Sequence, residues 1–172
     1  MKRVTIIPIE EHQVELLRKV ASEIFVESFA SMNDPNDIAK YIAEQLSEST
    51  LLNELSNTES RFYFAVFNEE VVGYLKLNFG KSQTEQLDPS AMEIERIYVY
   101  KHSQRDGIGK QLLDFATHEA RSRGCAKMWL GVWEHNTKAM NFYSKNGFRI
   151  FGSHPFVLGT DVQTDVLMQK EI

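Results

Sequence analysis

A chain of 172 residues, 42% hydrophobic and 25% charged, is long enough for one domain with its own core, and its ordinary composition excludes a disordered or low-complexity chain. The formal net charge of −5, with no long Lys/Arg cluster, argues against a nucleic-acid partner, which calls for a basic face. No apolar run approaches the roughly 18–20 residues of a membrane span, and the opening MKRVTIIPIEEHQVELL is too briefly apolar for a signal peptide, so a cytoplasmic protein with no membrane partner is expected.

The first run, VTIIPI at 4–9, reads as a short buried strand. Residues 11–30 carry Leu16, Leu17, Val20, Ile24 and Phe25 at a helical period. A second helix follows in NDPNDIAKYIAEQL, with Asp34 as cap and Pro35 at its first position. Residues 61–79 hold two runs rich in β-branched and aromatic residues around Asn68–Glu70, a hairpin. Polar residues 80–90 form a loop, and AMEIERIYVY is the next strand.

A helix over about 106–123 shows one apolar face, Ile108, Leu112, Phe115, Ala116 and Ala120, and Gly124 suits its C-terminal cap. KMWLGVW is a strand. NTKAMNFYSKNGF is a helix begun at Asn136 and ended by Gly147, and two strands near 148–158 and 163–169 close the chain. No repeat or linker interrupts this series, so residues 1–172 are expected to form a single domain. Its strand–helix–strand alternation predicts an α/β (α+β) fold, a mixed sheet covered by helices.

One cysteine, Cys125, excludes an internal disulfide and reads as a small packed residue. His12, His102, His118, His135 and His154 show no metal-ligand spacing, so no metal is expected.

The informative stretch is Gln104-Arg105-Asp106-Gly107-Ile108-Gly109-Lys110, where a strand ends, two glycines turn and a helix begins. The first amides of a helix lack intrahelical partners, the helix dipole adds positive charge there, and absent side chains let an anion approach the backbone. The alternative is a plain strand-to-helix turn. A dinucleotide fingerprint fails because Leu112 stands at its third glycine, and a Walker loop fails because Gln111 follows Gly109-Lys110. Q-x-x-G-x-G remains.

Downstream, N-x-x-A-x-x-F-Y-x-x-x-G-F runs from Asn136 to Phe148. The pair of motifs, with IERIYV before the first, resembles the GNAT superfamily of acyl-CoA-dependent N-acetyltransferases. EIERIYV, GIGKQLL, WLGVWEHN, AMNFYSKNGF and the late QTDVLM are most similar to the PaiA-type spermidine/spermine N-acetyltransferases. The resemblance implies a mixed, mostly antiparallel sheet, splayed between two central strands and flanked by four helices.

It also implies roles. Backbone amides from Arg105 through Asp106, Gly107, Ile108 and Gly109 to Lys110 would hold the pyrophosphate of acetyl-CoA, with Gln104, Arg105 and Lys110 adding side-chain contacts. Ile97, Tyr98 and Val99 would pair with the pantetheine arm, Asn136 would touch it, and Lys145 would reach a phosphate. Tyr143 would protonate the departing thiolate, and a backbone N–H near Val99 would hold the oxyanion.

By alternation Glu93, Glu95, Ile97 and Val99 share a strand face unless a bulge intervenes. Glu93 or Glu95 would draw the amine proton, or both are surface charges. Glu27, Phe29, Tyr41 and Glu134 are the candidate substrate contacts. The function expected is acetyl transfer to a small polycation, spermidine or spermine, in a ternary complex. The alternatives are another amine (amino acid, antibiotic or protein N-terminus) or a non-catalytic acyl-CoA binder. A homodimer is compatible with the resemblance.

Overall fold

The computed structural model describes residues 2–172. The chain runs β1 (Thr5–Pro8), α1 (Val14–Phe29), α2 (Pro35–Gln45), α3 (Glu48–Ser56), β2 (Ser60–Phe67), β3 (Glu70–Phe79), β4 (Ala91–Val99), α4 (Ile108–Ser122), β5 (Lys127–Trp133), α5 (Thr137–Lys145), β6 (Arg149–Leu158) and β7 (Asp161–Glu171). Local chemistry sets the boundaries. Asp34 accepts the Asn36 N–H at the start of α2, with Pro35 in the first turn, and Asn136 accepts the Ala139 N–H at the start of α5. Gly124 and Gly147, both at positive φ, follow the ends of α4 and α5.

Among the described residues the α-helices number five where four were expected. Ser47 caps α3 by accepting the Thr50 N–H, and Leu51 is fully buried on its inner face. A nine-residue helix carries few turns of periodicity, so it escaped a reading by period.

The seven strands lie in the order β1-β2-β3-β4-β5-β7-β6. Every neighbouring pair is antiparallel except β4–β5, which is parallel. One sheet face packs on α4 and α5 through Leu75, Met92, Ile94, Leu112, Leu130 and Tyr143. The other packs on α1, α2 and α3 through Phe62, Phe64, Tyr74, Leu17, Ile24 and Ile38.

Two irregularities in β4 shape everything that follows. Its pairing with β5 covers only Ala91↔Lys127, Met92↔Met128 and Glu93↔Trp129, so both strands run on with a gap between them. Against β3, Arg96 pairs with Lys76 and Ile94 with Leu77, which leaves Glu95 as an extra residue in a bulge. The bulge breaks the alternation read from the sequence. Ile97 and Val99 turn to the α4 face, whereas Arg96 and Tyr98 join Glu93 on the α1–α3 face.

Candidate active site

The glycine turn sits at the end of β4, beside the gap. Gly107 is the N-cap of α4 at φ 82° and offers no side-chain cap. The first intrahelical bond is donated by Gln111 to the Gly107 carbonyl, so the amides of Ile108, Gly109 and Lys110 precede the hydrogen-bonded ladder. α2, α3 and α5 each close the equivalent amides with a side chain. A Cβ built on Gly109 would meet only Phe142 Cζ, at 3.7 Å, an ordinary contact. The fold therefore does not demand glycine there; a group approaching the amides would.

The surrounding side chains are already engaged. Gln104 donates to the Val99 carbonyl at 3.0 Å and accepts from Lys138 Nζ at 2.6 Å, which draws the start of α5 to the turn. Asp106 pairs with Lys2 at 2.9 Å, and Lys110 pairs with Asp114. Arg105 is exposed at φ 69°. Asn136 uses its Oδ1 in capping α5. Lys145 lies exposed in the last turn of α5, seven residues beyond Lys138 and about 10 Å along the axis.

Tyr143 is buried between α5 and the sheet, against Phe142 and Phe148. Burial alone pushes its phenol well above the usual range, so it stays protonated at neutral pH. The Tyr98 phenol is also raised, by burial first and then by the neighbouring phenols of Tyr74, Tyr41 and Tyr143. Tyr98 belongs to one sheet face and Tyr143 to the other.

On the α1–α3 face lies a cavity of about 640 Å³, lined among others by Tyr41, Glu54, Lys76, Thr84, Glu95 and Phe156. Its floor is a charge quartet. Lys76 Nζ reaches Glu95 at 2.5 Å and Glu54 at 2.9 Å, and Arg96 reaches Glu54 at 2.8 Å and Glu95 at 3.2 Å. The cations lie beneath: the Lys76 and Arg96 side chains are 5% and 7% exposed, against 21% for Glu54 and 19% for Glu95. Burial would raise the Glu95 carboxyl, but the Arg96 and Lys76 charges and the hydrogen bonds from Lys76 and Asn78 outweigh it and hold it below the ordinary range. Glu93 is also buried, and burial raises it despite hydrogen bonds from the Thr84 N–H at 2.7 Å, the Thr84 hydroxyl at 2.5 Å and Asn78.

Among the other sequence candidates, Tyr41 stacks on Phe25 at 4.3 Å and lines the cavity. Phe29 stands edge-on to Tyr98 and Trp133, bridging the two strands beside the gap. Glu27 lies apart, accepting the Lys101 N–H and lining a separate cavity of about 380 Å³. Glu134 is exposed just past β5.

The Q-x-x-G-x-G helix start follows β4, the parallel strands β4 and β5 stop pairing after Glu93 and Trp129, and the Tyr143 phenol is buried on the α4–α5 face of the same sheet. The GNAT acetyltransferase family model matches residues 22–148. The chain belongs to the GNAT family.

An uncharacterized N-acetyltransferase in the pepI 3′ region of Lactobacillus delbrueckii subsp. lactis is 41% identical over 172 residues, covering 100% of this chain and 99% of the relative. A spermidine N(1)-acetyltransferase of Thermoplasma acidophilum is 28% identical over 141 residues, covering 80% and 83%. The crystal structure of a PaiA N-acetyltransferase of Thermoplasma acidophilum in complex with coenzyme A matches with a TM-score of 0.81 at 26% identity over 99% of both chains. The protein is accordingly an N-acetyltransferase of GNAT type with acetyl-CoA as co-substrate. No group of three or more His, Cys, Asp and Glu side chains among the described residues is arranged to hold a metal ion, and no helix is long and apolar enough to cross a membrane.

This GNAT site holds residues that the sequence did not flag. Glu54 rides on the unexpected α3, Lys76 sat in a strand without a motif, and Arg96 lay within EIERIYV with no role assigned to it. Lys138 is the second residue of α5, where only its contact with Gln104 marks it.

Two outcomes test the site. Gly109→Glu places bulk and negative charge over the free amides; coenzyme A binding by calorimetry should be abolished while the circular dichroism spectrum is retained. Glu95 has a depressed folded value, so its stabilisation is complete above the unfolded carboxylate value of about 4.3 and is lost as pH falls through the folded value. Glu93 is raised and acts oppositely, favouring the fold below the unfolded value and losing that contribution as pH rises through the folded one. Urea unfolding between pH 6 and pH 3 should therefore show a smaller loss of stability for Glu95→Gln than for the parent protein.

Proposed function

We propose that this GNAT enzyme transfers the acetyl group of acetyl-CoA to a primary amine of a small polycation, spermidine or spermine, by direct attack in a ternary complex. The observation that carries the polycation reading is the cavity floor: its outward-facing charges are the Glu54 and Glu95 carboxylates, with Lys76 and Arg96 paired to them from beneath. A volume of about 640 Å³ accommodates a slender aliphatic polyamine. The spermidine N(1)-acetyltransferase relative supports the same class of acceptor.

Each role follows from position. The amides from Arg105 to Lys110 receive the pyrophosphate, with Gln104, Lys138 and Lys145 as flanking polar side chains. The edge of β4 at Ile97, Tyr98 and Val99 pairs with the pantetheine amides as a missing strand would. The same edge supplies the oxyanion N–H at Val99, and Asn136 borders the arm. Glu95 and Glu54 meet the acceptor's ammonium groups, Tyr41 and Phe29 flank its chain, and Glu93 holds the 80–90 loop through Thr84. Tyr143, kept protonated by burial, donates its proton to the departing thiolate. Cys125 precedes the paired end of β5, the end away from the gap, which supports direct transfer over a cysteine-bound intermediate.

A second reading has its own observation. Lys76 and Arg96 balance the two carboxylates, so an acceptor carrying its own carboxylate, such as an amino acid, could displace Glu54 from one of them.

Thiol release from acetyl-CoA across spermidine, spermine, amino acids and an aminoglycoside separates these readings. Turnover confined to the polyamines is expected, and turnover confined to amino acids would favour the second reading. Tyr143→Phe should lower kcat about 10²-fold or more with coenzyme A affinity unchanged. An unchanged kcat would remove Tyr143 as the acid.

A further inference from the structure

An amine of pKa near 10 reaches a neutral-pH enzyme as an ammonium, and only its free form attacks a thioester. The carboxylates nearest the cavity suit that deprotonation poorly. Glu95 is held by Lys76 and Arg96, and Glu93 has its oxygens occupied by Thr84 and Asn78.

A different cluster borders the gap from the β5 side. Gly131 lies two residues past Trp129, the last residue of β5 paired with β4. A Cβ on Gly131 would stand 3.4 Å from His154 Nε2 and 3.3 Å from Asp165 Oδ2, so both atoms sit directly over backbone that edges the gap. His154 pairs with Asp165 across β6 and β7, and Asp165 with Trp133 across β7 and β5. Phe156, two residues along β6 from His154 and on the same face, lines the cavity. The cluster therefore lies over β5 beside the gap, on the sheet face that carries the cavity.

Its geometry is that of an oriented base. His154 Nδ1 is 2.8 Å from Glu85 Oε1, so with Glu85 ionised Nδ1 carries the proton and Nε2 presents a lone pair. Nε2 and Asp165 Oδ2 are 3.9 Å apart, too far for a direct hydrogen bond, and a proton donor placed between them satisfies both. Burial raises the Asp165 carboxyl, and a positive charge on His154 opposes that rise only in part. Glu85 belongs to the 80–90 loop, which is fastened across the sheet by Thr84 to Glu93 on β4, Gln83 to Trp129 on β5 and Glu85 to His154 on β6.

We propose that His154 is the proton acceptor for the acceptor ammonium, with Glu85 as its positioning residue and Asp165 as the second acceptor flanking the same N–H. The inference rests on the amine-acetylation reading. The ammonium gives one proton to Nε2 and becomes the free amine. Its nitrogen then attacks the thioester carbon, the C–N bond forms and the C–S bond breaks. The nitrogen loses a second proton, the thiolate takes one from Tyr143, the phenol is thereby reprotonated, and the proton on His154 leaves to solvent. The sum is one amide, one thiol and one released proton.

The test compares the parent enzyme, His154→Gln and Glu85→Gln on two acceptors at pH 7: spermidine, and a spermidine analogue with two fluorines beside its reacting primary nitrogen, largely unprotonated at that pH. For His154→Gln, kcat/KM should fall about 10²-fold on spermidine and less than about 3-fold on the analogue. Glu85→Gln should lose less, again on spermidine alone. Equal losses on both acceptors, or no loss on spermidine, would overturn the proposal while leaving amine acetylation standing. A parent enzyme inactive on both acceptors would instead sink the polyamine reading and this inference with it. If His154→Gln no longer binds coenzyme A, Glu85→Gln, which keeps the imidazole, decides by the same comparison.

Discussion

Two parallel strands that stop pairing partway along are the constraint on which this molecule depends. β4 and β5 share three residue pairs and then diverge. A strand edge inside a sheet is unfavourable unless its N–H and C=O groups find partners. Here the edge faces a gap with a buried phenol on one side and a charged cavity on the other. In the proposed reading, a coenzyme arm built of amides pairs with that edge, and an acceptor entering from the opposite face meets its thioester end. The bulge at Glu95 makes the same strand serve both sides: it sends Ile97 and Val99 toward α4 while Glu95 and Arg96 line the cavity and Tyr98 packs on the α1–α3 face.

The quartet of Lys76, Arg96, Glu54 and Glu95 explains how so many charges persist next to a core. Each carboxylate touches both cations, and Lys76 also lies 5.4 Å over the Phe62 ring. Removing one member of such a group costs about 3–5 kcal/mol because its partners stay buried without compensation. The arrangement is a poor source of net stability but a firm way to fix carboxylates facing inward. The Glu95 carboxyl is held below the ordinary range in consequence and Glu54 is tied to both cations, so deprotonation is proposed for a group outside the quartet.

The sequence made local features far more legible than distant ones. The glycine turn and the Asn136 cap are read in local spacing, because a helix start and a cap three residues before its amide are local objects. The order of the strands along the chain and the two closing strands follow from patterns of a few residues each. The quartet does not: Arg96 meets Glu54 across 42 positions, through a helix that the period did not reveal. The bulge was legible only as a possibility, since alternation alone puts Glu93, Glu95, Ile97 and Val99 on one face. His154 looked like one of five scattered histidines, because its partners Glu85 and Asp165 come from a loop and from another strand.

The central claim is that coenzyme A occupies the strand edge and the uncapped helix start together. Hydrogen–deuterium exchange of the protein with and without coenzyme A tests it most directly. The account predicts slowed exchange confined to the amides of 97–99 in β4 and of 105–110 at the start of α4. Protection spread evenly over the chain, or located around α1–α3 with residues 97–99 and 105–110 unchanged, would contradict it.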